Sequence, residues 1–298
     1  MRKPHELGRL ITAMVTPFKE GGEIDHEQAK KLALALLASG SDGLVVVGTT
    51  GESPTVTWEE EHQLFKEIKS VVGDRGAVIA GTGANSTEEA RENTVKAEKW
   101  GVDACLLVVP YYNKPTQEGL FQHFREVARN TRLPIVLYSI PGRCGIEIGV
   151  ETVKRLAAKC KNIIGIKEAG GNADRVSQLR AALGPRFEIM CGDDALTLPF
   201  MAVGAQGVIS VASNVIPRAV AQMVRAYAAG KTAAALKLHQ KYYPLFKDLF
   251  IETNPVPVKA ALAMMGLIEE EYRLPLVPMA AKNREILAAS MKACGVLT

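Results

Sequence analysis

The sequence has few cysteines and no long apolar run, and these features mark several large classes of protein. It has only five cysteines, at positions 105, 144, 160, 191 and 294, and no two of them form a Cys-x-x-Cys pair. This scatter argues against a disulfide scaffold and a zinc site, and it favours reduced thiols in the cytoplasm. No apolar run approaches the ~20 residues that span a bilayer. Because Leu10–Val15 is also too short and mixed for the core of a signal peptide, we expect a cytoplasmic protein without a membrane segment.

Charge of one sign is not concentrated in any part of the chain. Lysine and arginine number 36 against 32 acidic residues, which gives a net charge of +4. A nucleic-acid partner is not expected, since no basic stripe with interleaved aromatic residues is present. No spacing of His, Cys, Asp and Glu indicates a divalent metal site. The weak positive charge is compatible with a small anionic substrate.

Short apolar, β-branched runs alternate with amphipathic stretches along most of the 298 residues. Eight runs are predicted as strands: Leu10–Val15, Gly43–Gly48, Ala77–Gly83, Ala104–Pro110, Pro134–Ile140, Ile163–Ala169, Glu188–Asp194 and Gly207–Ser213. Between them, Asp25, Thr57 and Ser86 stand where helices should begin. Glycines 40, 73, 101 and 184 stand where helices should end.

This alternation predicts an α/β protein with a (β/α)8 barrel. A doubly wound open sheet is the alternative, but it needs fewer strands and usually a glycine-rich dinucleotide turn. The nearest match, Gly81–Ser86, lacks the third glycine. After residue 230 the strand signal stops, and helices are predicted at Lys231–Phe250, Pro257–Met265 and Ala280–Ala293. We therefore expect a catalytic barrel over residues 1–230 and a helical extension over 231–298.

Lys167 is the strongest candidate for chemistry, because it lies inside an apolar predicted strand. Burial disfavours an ammonium and lowers its pKa, which is the usual way to obtain an amine that attacks a carbonyl to form a Schiff base. Gly165 and Ala169 share its face if the strand alternates regularly, as does Ile163. They leave room for a small ligand. The alternative is a lysine at a strand end that reaches water or pairs with Glu168.

In such a barrel the active site lies at the carboxyl ends of the strands. Tyr138 ends the strand before that of Lys167, where a phenol can exchange a proton with the lysine adduct. Arg143 follows in a Pro-Gly turn and is suited to bind a carboxylate, although a solvated surface arginine is the alternative.

Three other strand ends carry polar or aromatic residues. Thr49 and Thr50 stand in a glycine-bounded turn whose backbone N–H groups can seat a carboxylate, or else form an ordinary turn. Tyr111 and Tyr112 cannot both point into one core, so one is expected at a surface, interface or site. Asp193-Asp194 is better explained as the start of a helix than as a metal site.

Taken together, these segments resemble the dihydrodipicolinate synthase family, within the N-acetylneuraminate lyase superfamily of barrels. The resemblance covers nearly the whole chain and rests on five motifs: Gly48–Glu52, Tyr111–Asn113, Tyr138 to Arg143, Gly165–Glu168 and Asn254–Lys259. It implies condensation of pyruvate with L-aspartate 4-semialdehyde in lysine and diaminopimelate biosynthesis, without an organic cofactor. It also implies a homotetramer built as a dimer of dimers.

The resemblance also implies roles for individual residues. Lys167 forms the Schiff base. Tyr138, Thr50 and Tyr112 form a proton relay to which Thr49 connects, with Tyr112 supplied by a neighbouring subunit. Thr49 and Thr50 hold the pyruvate carboxylate, Arg143 holds the semialdehyde carboxylate, and Gly192 and Ile209 line the pocket. A lysine effector is expected at Ser53, Trp58, Glu61, Asn85, Glu89 and Tyr111.

Ser139 and Cys144 depart from the family, which commonly has Asn and Thr there. Two alternatives remain on sequence alone. One is a related pyruvate-dependent aldolase or lyase for a sialic acid or a 2-keto-3-deoxy sugar acid. The other is a non-catalytic barrel that senses an oxo-acid or amino acid.

Overall fold

A computed structural model describes residues 7–297 of the chain. Eight parallel strands close into a barrel in chain order, and the ring closes where β8 pairs with β1. The strands are β1 Leu10–Ala13, β2 Gly43–Val46, β3 Ala77–Gly81, β4 Ala104–Val108, β5 Ile135–Ser139, β6 Ile163–Glu168, β7 Glu188–Cys191 and β8 Gly207–Ser210. The predicted (β/α)8 barrel is confirmed. All eight predicted strands extend one to three residues too far at their carboxyl ends, into the loops that carry the polar motifs.

Helices connect the strands and cover the barrel. They are α1 His26–Ala38, α2 Trp58–Val72, α3 Thr87–Lys99, α4 Gln117–Arg129, α5 Pro141–Cys144, α6 Val150–Lys159, α7 Ala173–Leu183, α8 Thr197–Ala202 and α9 Pro217–Ala228. The α10 to α12 helices are Thr232–Asp248, Val256–Met264 and Ala281–Ala293. Short 3₁₀ turns occur at Thr49–Gly51, Ser53–Thr55, Asp194–Leu196 and Ala212–Asn214. In the part of the chain described, no helix has the length and apolar character to cross a membrane.

The helix starts predicted from sequence are present. Thr57 and Glu60 form a reciprocal capping box, in which each side chain accepts a hydrogen bond from the other residue's backbone N–H. Asp25 caps α1 by accepting from Gln28 N at 2.9 Å. These caps satisfy N–H groups that a helix cannot pair internally, and they fix where each loop ends.

Side chains inside the barrel alternate with those that face the helices. Ile11, Val45, Ile79, Leu106 and Val136 belong to the inner cluster, whereas their strand neighbours pack outward. Every strand is therefore buried on both faces, as parallel barrels require. The inner cluster fills the interior of the barrel.

The prediction that Ile163 shares the face of Lys167 is wrong. The pairing of β5 with β6 shifts register between Ile135 and Val136, where the partner changes from Ile163 to Gly165. Ile163 packs in the outer cluster, and Ile164 contacts the inner one. A bulge of this kind breaks the two-residue alternation locally, and regular alternation resumes at Gly165.

The C-terminal helices pack on the barrel, α10 against α9 and α12 against both α10 and α11. Lys259 of α11 is fully buried and pairs with Glu52, Nζ to Oε1 at 2.5 Å. Its ammonium also lies 4.1 Å from the ring centre of Phe18. The extension therefore contacts the loop after β2, although the proposed boundary at residue 230 stays a prediction.

Candidate active site

Lys167 lies on β6 with its side chain in the barrel, 5% exposed. Burial lowers the pKa of the Lys167 amine to about 8, and the nearby Arg143 guanidinium lowers it further, while Asp194 and Cys191 oppose the shift. Roughly a tenth of such an amine is neutral at pH 7, against less than about a thousandth of an unperturbed lysine. The amine is thus suited to attack a carbonyl near neutral pH.

Tyr138 is the residue opposite Lys167 on the neighbouring strand β5. The Lys167 Nζ lies 4.3 Å from the centre of the Tyr138 ring. Burial raises the pKa of the Tyr138 phenol to about 12, although Arg143 and a side-chain hydrogen bond with Thr49 act in the opposite direction. At neutral pH the phenol therefore keeps its proton and can donate it.

Gly192, directly after β7, makes room for the lysine. A Cβ at this position would lie 3.1 Å from Lys167 Cε and 2.7 Å from Ala169 Cβ. Both contacts are too close for an unstrained side chain. A side chain here would displace Ala169 and crowd Lys167, so glycine leaves the lysine its space.

The turn after β2 places two hydroxyl residues at the rim of the barrel. Thr49 and Thr50 begin a 3₁₀ turn whose first N–H groups have no partner within the turn. The Thr49 side chain lies close enough to Tyr138 to lower the pKa of its phenol, whereas the Thr50 Oγ1 accepts a hydrogen bond from Asn254 Nδ2 at 3.0 Å. The two threonines, which share one predicted relay, therefore have different partners.

The backbone is strained on both sides of this turn. Val47 has φ 54° and Glu52 has φ 58°, values that β-branched and other non-glycine residues rarely adopt. Such conformations persist where the surrounding structure enforces them and are frequent at functional sites. Here Glu52 is enforced by its buried ion pair with Lys259.

Arg143 follows β5 in the short helix α5 and lies at the rim. Its Nη2 donates to the backbone oxygen of Asn254 at 2.9 Å. Because its charge affects the pKa of both Tyr138 and Lys167, the guanidinium is close to the reactive pair. The fixed guanidinium can bind a carboxylate beside the amine.

The remaining predicted residues fall in three places. Ile209 is fully buried in the inner cluster of the barrel. Tyr112 is 90% exposed with φ 69°, so within one chain its side chain does not reach Lys167. The predicted effector residues lie in the loops after β2, β3 and β4 and in the first turns of α2 and α3: Ser53, Trp58, Glu61, Asn85, Glu89 and Tyr111.

Among those six, Glu61 and Tyr111 interact electrostatically. Burial raises the pKa of Glu61 to about 9, and its Oε2 is buried without a hydrogen-bond partner among the described residues. Burial and the charge of Glu89 raise the pKa of Tyr111, with a smaller contribution from Glu61. These three side chains are therefore close together, as a shared site requires.

A cavity of about 1460 Å³ lies at the opposite end of the barrel. Gly8, Phe187 and Gln206, which line it, stand before the strands rather than after them. None of the predicted catalytic residues lies there. We therefore place the chemistry at the carboxyl ends of the strands. Among residues 7–297 no group of three His, Cys, Asp or Glu could hold a metal ion.

Asn254 is the residue that the sequence interpretation missed as part of the site. From sequence, Asn254 is only the first residue of the Asn254–Lys259 motif, in the predicted extension. The structure places it between Thr50 and Arg143. An Asn-Pro pair opening a helix was the available signal, but it equally indicates a turn.

Comparison with known proteins agrees with this geometry. The model of the Dihydrodipicolinate synthetase family matches residues 6–294. A 4-hydroxy-tetrahydrodipicolinate synthase from Dehalococcoides mccartyi is 55% identical over 287 residues, 96% of each chain. The structure of that synthase from Methylacidiphilum fumariolicum SolV superposes with a TM-score of 0.96 at 54% identity, covering 97% of this chain and 96% of that one.

A second solved structure is similar over its full length. It is the enzyme of Cyanidioschyzon merolae with lysine bound, with a TM-score of 0.96 and 47% identity, covering 98% of this chain and 99% of that one. These relatives are synthases, so the alternative of a sialic acid or sugar-acid lyase is not supported.

Proposed function

The chain belongs to the Dihydrodipicolinate synthetase family, and from this we propose that it condenses pyruvate with L-aspartate 4-semialdehyde through a Schiff base on Lys167. The observation that carries the proposal is the buried Lys167 amine, with a pKa lowered to about 8 by burial, beside a protonated Tyr138. The product is 4-hydroxy-tetrahydrodipicolinate, an intermediate of lysine and diaminopimelate biosynthesis.

The first half-reaction joins pyruvate to the enzyme. The neutral Lys167 amine adds to the C2 carbonyl of pyruvate, and the resulting carbinolamine loses water to give the iminium. Tyr138 supplies the proton that the departing hydroxyl needs and recovers one as the C3 carbon is deprotonated to the enamine. The N–H groups of Thr49 and Thr50 hold the pyruvate carboxylate, while Gly192 and Ile209 shape the pocket.

The second half-reaction consumes the semialdehyde. The enamine carbon attacks the aldehyde carbon, whose oxygen takes up a proton, and Arg143 holds the substrate carboxylate. The amino group of the semialdehyde then attacks C2 and displaces Lys167, which closes the ring. One water is released over the cycle, in the first half-reaction, and no cofactor is needed for this balance.

A homotetramer of two dimers completes the proposed enzyme. Tyr112 is 90% exposed at positive φ, a costly arrangement for an aromatic residue in a free chain. Insertion of this side chain into the site of a neighbouring subunit would account for it and would connect the proton relay to solvent. The cytoplasmic location is part of the same proposal.

Feedback inhibition by lysine is also proposed. Glu61, Glu89 and Tyr111 offer carboxyl and aromatic groups to an ammonium. Ser53 and Asn85 stand in the loops after β2 and β3, and Trp58 begins α2. The related enzyme of Cyanidioschyzon merolae has been solved with lysine bound, which supports a site for this amino acid.

Borohydride reduction in the presence of pyruvate tests the proposed function. We expect a stable adduct on Lys167 and none in Lys167→Ala. Lys259 is an internal control, because it is also a buried lysine but is ion-paired with Glu52. An unlabelled wild-type protein, or a label on another lysine, contradicts the Schiff base. Consumption of L-aspartate 4-semialdehyde then tests the second substrate.

A further inference from the structure

Asn254 connects the two groups assigned to the two substrates. Its Nδ2 donates to Thr50 Oγ1 at 3.0 Å, and its backbone oxygen accepts from Arg143 Nη2 at 2.9 Å. The residue is 5% exposed. One asparagine from the segment between α10 and α11 therefore contacts both the pyruvate side and the semialdehyde side of the site.

The other polar atom of this side chain is unused. Asn254 Oδ1 is buried and has no hydrogen-bond partner among residues 7–297. Buried polar atoms are nearly always paired, and an exception needs an explanation such as a ligand. Since Nδ2 is already engaged with Thr50, the free Oδ1 can only accept, so the missing partner is an N–H or O–H donor.

We propose that Asn254 Oδ1 accepts a hydrogen bond from the amino group of the second substrate. The inference rests on the proposed function. In an α-amino acid the amino group and the carboxylate are attached to the same carbon. A carboxylate on Arg143 therefore places the amino group within reach of a residue that Arg143 itself touches.

The neutral amide suits the reaction that this amino group must perform. To close the ring, the nitrogen has to lose its proton and attack C2. A carboxylate beside it would stabilise the ammonium and raise its pKa. An amide oxygen accepts a hydrogen bond from an ammonium or from an amine, so it can hold the group without fixing its proton.

The test compares two aldehydes that differ only in this amino group. Succinate semialdehyde keeps the aldehyde and the carboxylate but lacks the amino group, and it serves as a competitive inhibitor. In Asn254→Ala we expect the KM for L-aspartate 4-semialdehyde to rise roughly tenfold to a hundredfold, as for loss of a hydrogen bond to a charged group. The inhibition constant of succinate semialdehyde should change less than about threefold on the same reasoning.

Two further variants control the comparison. Asn254→Asp keeps an acceptor oxygen and should retain the preference for the amino-bearing aldehyde. Asn214→Ala removes another buried asparagine, whose amide groups are all bonded within the loop after β8 and to β1. It should not change the ratio of the KM for L-aspartate 4-semialdehyde to the inhibition constant of succinate semialdehyde, whatever it does to the stability of the protein.

Equal losses of affinity for both aldehydes in Asn254→Ala would overturn the inference, because Asn254 would then act only by holding Thr50 and Arg143. So would loss of the preference in Asn254→Asp. Trapping of pyruvate separates these results from failure of the proposed function. A wild-type protein that is not labelled refutes the Schiff base. Normal labelling of Asn254→Ala, with the relative affinity for the two aldehydes unchanged, refutes only the amino-group contact.

Discussion

The ring of Tyr138 lies against the amine of Lys167, with 4.3 Å between Nζ and the ring centre. A ring face attracts a cation, so this contact alone would favour the protonated amine. Burial acts in the opposite direction and prevails, because the pKa of Lys167 is lowered to about 8. The pair therefore combines an amine that readily loses its proton with a phenol that retains one.

Replacing Tyr138 with Phe should leave the ring contact and remove the proton donor. We expect kcat to fall roughly 10²- to 10⁴-fold, the usual contribution of a positioned general acid. The KM for pyruvate should change little, because the carboxylate contacts remain. Tyr243→Phe, at a half-exposed tyrosine of α10, is the matched control. A Tyr138→Phe enzyme of normal kcat would exclude the phenol from proton transfer.

The rate of pyruvate trapping should depend on pH through the amine of Lys167. Because burial lowers the Lys167 pKa to about 8, the neutral fraction grows as pH rises and levels off above that value. Single-turnover borohydride trapping from pH 6 to 10 measures this profile. An ordinary lysine would give a rate that still increases beyond pH 9, and that result would contradict the lowered pKa.

Arg143→Ala should weaken binding of the semialdehyde and leave pyruvate trapping intact. Loss of a charge-assisted contact with a carboxylate predicts a rise in its KM of roughly ten- to a hundredfold. Arg186→Ala removes an exposed arginine before β7, at the far end of the barrel, and should have no such effect. If Arg143→Ala raised the KM for pyruvate instead, the assignment of the two substrate carboxylates to their binding residues would have to be exchanged.

The buried ion pair of Lys259 and Glu52 should be sensitive to loss of one partner. Lys259→Met leaves a buried carboxylate alone and should lower the free energy of unfolding by about 3–5 kcal/mol. The double variant with Glu52→Gln should recover much of the loss. Urea denaturation of the single and double variants measures both values. Additive losses would mean that the two residues do not stabilise the fold as a pair.

Lysine should inhibit the enzyme at the proposed effector site. We expect the rate of condensation to fall as lysine is titrated to millimolar concentrations. Glu89→Gln removes an effector-site carboxylate and should weaken the inhibition while leaving pyruvate trapping unchanged. A rate that is constant through this range would remove the effector proposal.

The parts of this structure that depend on local sequence were predictable. The eight strands follow from short apolar runs, and the placement of Lys167 and Tyr138 side by side follows from their positions on adjacent strands. The bulge in β6 was not predictable, because the shift depends on how β5 and β6 pair. Asn254 and Lys259 were missed as partners for a similar reason: they bind residues 204 and 207 positions earlier, and no pattern within one segment indicates such a contact.

The same long separation affects how the protein is made. Synthesis from the N-terminus reaches β8, and with it every strand of the ring, by Ser210. Glu52 and Thr50 still lack their partners at that stage, because Lys259 and Asn254 have not yet been added. A nascent chain that has all of its strands therefore still holds an unneutralised carboxylate at the rim. The loop after β2 can reach its final form only when the ribosome has added some fifty further residues.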